Sequence, residues 1–151
     1  MLTKPRKLPF KEFLQTFKKA PRVAINLFVT DSHDRVLLTK RNIQPCIGVW
    51  HLPGGFLLKN ETISAAQKRI AQAEFGIQLN PKTSFSLLGV FEDLKGDPRG
   101  HVVDIIYSLS INDSSLVKTT RENKAVEFFE KNKLPDNIGF NHKDTLRQLG
   151  C

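Results

Sequence analysis

Hydrophobic positions along the chain change period several times, and each change marks an element. In PFKEFLQTFKKAP, Phe10, Phe13, Leu14 and Phe17 recur at helical spacing. They predict a short amphipathic helix with a basic outer face, stopped before Pro21. RVAINLFVT (22–30) and RVLLTKR (35–41) are apolar, β-branched runs separated by the turn-forming DSHD, which predicts a hairpin. NIQPCIGVW reads as a loop, and WHLPGGFL as a brief strand with a Gly-Gly turn. TISAAQKRIAQAEF (62–75) is the strongest helical segment. Asn60 stands near its N-cap, Glu61 suits the positive end, and Gly76 is a natural stop. SFSLLGVFED and HVVDIIYSLSI predict strands flanking the loop LKGDPRG. AVEFFEK predicts another strand, and NHKDTLRQLG a final helix. The order α-β-β-α-β-β-β-α, without internal repeats, predicts a single α/β domain over residues 1–151, with 1–20 as a helical extension.

Composition narrows the picture. The chain has 151 residues, 40% of them hydrophobic and 25% charged, which is ordinary for a globular domain with its own core. Eleven Phe against one Trp and one Tyr predict a Phe-rich core. The net charge of +8 suits phosphates, nucleotides or nucleic acid, and equally a solubilising lysine-rich surface. Two cysteines, Cys46 and Cys151, make neither a disulfide framework nor a zinc site. A reduced cytoplasmic setting is expected. The basic N-terminal stretch lacks a signal-peptide core, and no apolar run approaches membrane-span length, so no membrane partner is expected.

The chemistry-bearing residues fall in one window. Gly55 is followed after five residues by Glu61 and after seven more by Arg69. Glu74, Gly76 and Ile77 continue the register. This spacing, with the lead-in GVWHLPGG, resembles the Nudix box, G-x5-E-x7-R-E-U-x-E-E-x-G-U with U aliphatic. The resemblance extends more weakly from about Val23 to Phe129. It implies an α/β (α+β) fold, an α/β/α sandwich with a mixed sheet. It also implies Mg²⁺-dependent hydrolysis, or Mn²⁺-dependent, of a nucleoside diphosphate linked to another group. The pattern has its own logic. A glycine turn exposes backbone groups to a phosphate, and a following helix presents a carboxylate, a hard donor for Mg²⁺. Glu61 and Arg69, eight residues apart, lie near one helix face. With Gly55 and Gly76 they are read as motif-structural.

The departures are informative. The positions of two further box glutamates hold Ile70 and Ala73, leaving Glu74 on that face. One carboxylate does not readily offset the repulsion between several cations, so one ion is expected. GDP-mannose mannosyl hydrolases carry a similar reduced box, R-L-x-x-A-E-x-G, close to RIAQAEFG here. That resemblance implies Gly55, Glu74 and Asn123 as metal positions. Lys124 falls where that branch has a catalytic histidine, and Phe56 where it has a phosphate-binding arginine. Glu74, Lys124 and His101 are therefore the catalytic candidates, with Asp97 on the same loop as His101. Lys40 and Arg41, after the second strand, are the substrate-binding candidates by analogy. Asp104 reads as an edge charge. Trp50 and the phenylalanines could stack on a base, although core packing accounts for most of them. Both P–O and C–O cleavage fit a nucleotide-sugar or ADP-ribose-like substrate. The alternative is an impaired Nudix fold that only binds nucleotides or RNA. A homodimer is the other expected partnership, with the Phe-bearing first helix as one surface.

Overall fold

The computed structural model describes residues 2–151. Its centre is β1 (Arg22–Thr30), whose six consecutive residues from Ala24 to Val29 are all buried. Such a run, apolar apart from Asn26, needs cover on both faces, and it has it. β1 pairs in parallel with β6 (Val102–Ser110) over nine residues, Arg22 opposite Val102 through Thr30 opposite Ser110. Its other edge is divided. Residues 24–26 pair antiparallel with β4 (Gly54–Phe56), and Thr30 meets Val36 at the start of β2 (Val36–Arg41). β2 also pairs with the two-residue β3 (Trp50–His51) and with β7 (Asn123–Phe129). β5 (Ser86–Asp93) lies at the far edge beside β6. The result is a mixed seven-stranded sheet.

One face of the sheet carries Ile25, Leu27, Val29 and Leu37. It is covered by Ala66, Ile70, Ala71 and Phe75 of α2 (Ile63–Phe75). The other face carries Phe28, Val36, Leu38 and Ile106. It packs with Trp50, Leu52 and Leu146 of α3 (His142–Gln148). This is the expected α/β/α arrangement with a mixed sheet. Trp50 goes into the core, edge-on to Phe129 at 5.0 Å, and not onto a ligand surface. Among the described residues no helix is long and apolar enough to cross a membrane.

Three local expectations change. The Gly-Gly pair is strand β4 and not a turn, because Gly54 and Gly55 lie against Asn26 and Ile25. The N-cap of α2 is Thr62, whose hydroxyl accepts from the Ala65 N–H at 3.2 Å; Asn60 instead occupies a left-handed position at φ 65°. Asp104 is not an edge charge. It lies on β6 between two other strands and is buried. Gly76 does stop α2, at φ 72°.

The helix α1 (Phe10–Thr16) has no buried residue, and Phe10 is exposed. Phe13 and Phe17 pack against Phe56 at 5.4 and 5.5 Å between ring centroids, tying the extension to β4.

A Cβ at Gly54 would collide with the Asn26 side-chain oxygen. Gly54→Ala is therefore expected to destabilise the fold by about 1–3 kcal/mol, read from the urea midpoint. An unchanged midpoint would show that β4 can shift off β1 freely.

Candidate functional site

The construction begins with Arg69. From the second turn of α2 its guanidinium donates to Glu61 through Nε at 2.6 Å and Nη2 at 2.8 Å, and through Nη2 to the Phe56 carbonyl at 3.0 Å. Glu61 also accepts from the Leu58 N–H at 3.0 Å. This charge-assisted fork fastens the end of β4, the loop after it and the helix to one another. Hydrogen bonds from Arg69 and Leu58 hold the Glu61 carboxyl below its usual range, against the opposing effect of burial.

The clamp leaves Gly55 and Glu74 on the wall of one cavity of about 370 Å³. Gly55 has no room for a side chain without pressing Ile70, since a Cβ would stand 3.3 Å from Ile70 Cγ1. Glu74 ends α2, where several carbonyls need partners. The segment leading into β7 supplies them. Thr120 donates to Ala73 O at 2.7 Å, Asn123 to Glu74 O at 2.8 Å, and the Lys118 N–H to Phe75 O at 3.0 Å. Asn123 Nδ2 also reaches Glu74 Oε2 at 3.1 Å, and Thr39 donates to the same oxygen at 3.2 Å. Among the described residues Oε1 has no hydrogen-bond partner. Ile70 and Ala73, standing where the resembled pattern has acids, both line this cavity beside Glu74. Burial pushes the Glu74 carboxyl up to about 7; the Asn123 and Thr39 hydrogen bonds oppose this rise and Glu122 adds to it.

The other expected residues divide. Arg41 lines the cavity, with Nε on Pro45 O at 2.7 Å and its guanidinium carbon 5.3 Å from the Phe140 ring centroid. Lys40 points the other way, as alternation along β2 requires, and sits 5.5 Å from the Trp50 ring centroid, outside the cavity. Lys124, expected at the site, is exposed where its neighbour Asn123 is buried: the register of β7 on β2 shifts here, Lys40 opposite Ala125 but Arg41 opposite Asn123, so Lys124 bulges out and Asn123 stays on the Arg41 side. His101 does not line the cavity, and its Nε2 is buried without a partner. Asn123 is at the site, but it presents its amide N–H to Glu74. In this arrangement its N–H groups, and not its oxygen, face Glu74. Asp97 lines the cavity while paired with Arg99 at 2.7 Å.

Sequence reading missed the cavity role of five residues. Glu122 lies beside Asn123 in TREN and lines the mouth. Asn26 and Asp104 form a buried pair at 2.7 Å. His51 and His142 are both buried in the wall. Burial holds His142 down at about 4 and His51 well below its ordinary value, so both are neutral near pH 7. The DI alternation in VVDIIYS was the available signal for Asp104. Nothing in sequence separates Glu122 from other surface acids.

Among the described residues no three His, Cys, Asp or Glu side chains gather as a metal-ligand group. The oxygen donors around the cavity, Glu74, Glu122 and the Gly55 backbone, nevertheless suit a hard divalent cation that takes its remaining ligands from substrate and water.

Comparison with known proteins agrees with this geometry. A family model described as NUDIX domain matches residues 20–149. The chain is 37% identical over 127 residues to an ADP-ribose pyrophosphatase of Methanocaldococcus jannaschii, covering 84% of this chain and 72% of that one. It is 29% identical over 128 residues to the low-salt glycan biosynthesis protein Agl8 of Haloferax volcanii, covering 81% and 80%. Among solved structures, the NUDIX domain of Shewanella oneidensis NrtR, complexed with ADP ribose, superposes with TM-score 0.72 at 21% identity, covering 94% of this chain and 97% of that one. A MutT NUDIX hydrolase from Burkholderia pseudomallei gives 0.74 at 26%, covering 87% and 99%.

Burial, with Asp93 and Asp97 adding repulsion, pushes Asp104 up to about 7 against the pull of the Asn26 hydrogen bond. An unfolded aspartate releases its proton near 3.8. The folded chain thus binds more protons between these values, and this group's contribution to stability falls as pH rises from about 4 to 7. Asp104→Asn keeps the acceptor for Asn26 and removes the charge. Its stability advantage over the parent is expected to grow from near zero at about pH 3.5 to on the order of 1–3 kcal/mol at about pH 8, by urea denaturation. Parallel pH profiles for the two proteins would contradict a buried, proton-holding Asp104.

Proposed function

The chain belongs to the NUDIX domain family, and from that premise we propose that it hydrolyses a nucleoside diphosphate linked to a second group, ADP-ribose or a nucleotide sugar, with one divalent cation, Mg²⁺ or Mn²⁺. The observation carrying this reading is the Glu74 carboxylate at the cavity wall, oriented by Thr39 and Asn123 with Oε1 left without a partner among the described residues. Similarity to a protein named ADP-ribose pyrophosphatase and to a fold solved with ADP ribose supports the substrate class. The two cysteines are free, which suits a cytoplasmic setting.

Glu74 and the Gly55 carbonyl would hold the cation. When bound, it would neutralise diphosphate charge and lower the pKa of an attacking water. The chain's own residues do the rest. Arg69 and Glu61 keep β4 and α2 in register, so that Gly55 and Glu74 stay on one wall. Arg41, held by the 44–45 loop and by Phe140, faces the cavity as a fixed positive charge for phosphate. Glu122, at the mouth, is the carboxylate positioned to take a proton from water, the role expected of Lys124 or His101. Hydrolysis adds the water oxygen to phosphorus or to the sugar carbon. The departing oxygen takes a proton as it leaves.

One observation favours a second reading, in which the protein binds nucleotides without turnover. Two acid positions of the resembled box are Ile70 and Ala73, and both face this cavity.

The assay is hydrolysis of ADP-ribose, nucleotide sugars and dinucleotide polyphosphates with Mg²⁺ or Mn²⁺. Turnover is expected, and Glu74→Gln should lower kcat by more than about 100-fold while the protein stays folded. Thr39→Val should cost about 10–100-fold, as for groups that orient a metal ligand. Nucleotide affinity with no turnover across this panel would establish the binding reading. Turnover insensitive to Glu74→Gln would remove Glu74 from the site. Hydrolysis in ¹⁸O water assigns the bond: label in the phosphate product means attack at phosphorus, label in the sugar means attack at carbon.

A further inference from the structure

The cavity is not closed by the matched domain alone. Arg6, Lys7, Leu8, Phe10 and Phe13 also line it, and all of them precede residue 20, where the family match begins. The segment is fixed at three points. Asn60 Nδ2 donates to Thr3 O at 3.2 Å and Thr3 Oγ1 at 2.9 Å. Lys7 Nζ lies 3.6 Å from Glu122 at the mouth. Phe13 and Phe17 seat α1 on Phe56. The segment therefore runs past the cavity from the loop before α2 to the loop before β7.

The charges around the cavity show what this segment adds. A diphosphate gains most from cations whose donors are not already committed to carboxylates. Arg69 is spent on Glu61 and Arg99 on Asp97. Arg41 is pinned to two carbonyls, Pro45 O and Gln44 O. Arg22 has no carboxylate partner, but its guanidinium is held 5.5 Å from the ring centroids of both Phe13 and Phe56. Arg6 and Lys7 differ. Both are exposed and adaptable; Arg6 has no carboxylate within ion-pair distance among the described residues, and Lys7 has only the long contact to Glu122. Phe56 gives this wall an aromatic ring and no cation of its own, so the mobile positive charge at the mouth comes from the segment.

We propose that Thr3–Phe17 is part of the substrate site, and that Arg6 and Lys7 bind the diphosphate of the nucleotide as specificity-determining residues contributed from outside the family domain. This rests on the proposed function for its ligand class and deepens it by naming where the phosphate contacts arise. Adenosine, lacking phosphate, would not sense these two residues, whereas ADP and ADP-ribose would.

The test uses the full chain and the variants Arg6→Ala, Lys7→Ala, the double variant and Arg6→Lys. ADP and adenosine binding are followed by calorimetry, and ADP-ribose hydrolysis by KM and kcat. In the double variant, KM and the ADP dissociation constant should each rise about tenfold, with kcat within about twofold and adenosine affinity unchanged. Arg6→Lys should recover most of the loss caused by Arg6→Ala, and raised salt should weaken ADP binding more in the parent than in the double variant. ADP affinity within about twofold of the parent would overturn the proposal, as would tighter binding on removing the charges or a parent protein that binds no ADP. Should the parent bind ADP yet hydrolyse nothing, the enzymatic reading fails while the titration still decides the role of Arg6 and Lys7.

Discussion

The fork between Arg69 and Glu61 is the interaction on which the site depends. A helix and the strand before it can slide relative to each other when joined only by a loop. Three short hydrogen bonds from one planar guanidinium remove that freedom, because the donors sit at fixed angles and meet both oxygens of one carboxylate and a main-chain carbonyl. Glu61 is almost fully buried on the loop side of the fork, so the pair works partly away from water, where losing one member would leave an uncompensated charge. What the fork fixes is the relation between Gly55 and Glu74, two oxygen-bearing positions nineteen residues apart in the chain.

Around that clamp the cavity carries an unusual balance of charge. Ile70 and Ala73 make the wall beside Glu74 apolar, and a less polar wall raises the cost of ionising the carboxyl that remains. Further in, Asp104 bears a similar cost with one hydrogen bond from Asn26. Two buried histidines are held neutral by the same desolvation. The guanidinium groups on the opposite side are mostly bound to carboxylates, carbonyls or aromatic rings. A site so built has little loose charge of its own. An incoming dianion with a divalent cation would meet a surface already arranged and would need few groups to reorganise. The mobile charge belongs to the segment that crosses the mouth.

That segment also accounts for Phe56. On a bare β4 edge an exposed phenylalanine would be a poor replacement for a cation. With Phe13 and Phe17 against it, and the Arg22 and Arg99 guanidinium carbons each within 5.5 Å of its ring centroid, it becomes the centre of an aromatic and cationic cluster. The extension and Phe56 thus belong to one packing arrangement.

Much of this was legible before any coordinates. Local periodicity placed β1, β2, β5, β6, β7 and the three helices; for β1, β2, β6 and α2 this is because they bury one face or both and their side-chain period records it. The spacing Gly55–Glu61–Arg69–Glu74–Gly76, through its resemblance to the Nudix box, sufficed to join Glu61 with Arg69 and to single out Glu74, although Glu61 precedes the helix and reaches Arg69 from the loop before it. The sequence could not say which way residues at strand ends would face. Lys40 and Arg41 are adjacent and alike in charge, yet alternation sends one over Trp50 and the other into the cavity; Asn123 and Lys124 are divided instead by a bulge in the pairing of β7 with β2. Asn26 and Asp104, 78 residues apart, meet because β1 and β6 run parallel, and Lys7 reaches Glu122 because the extension folds back over the mouth. Contacts within one element obey a fixed period and can be counted along the chain. Contacts between elements depend on register and crossover, and those are settled when the sheet buries its two faces.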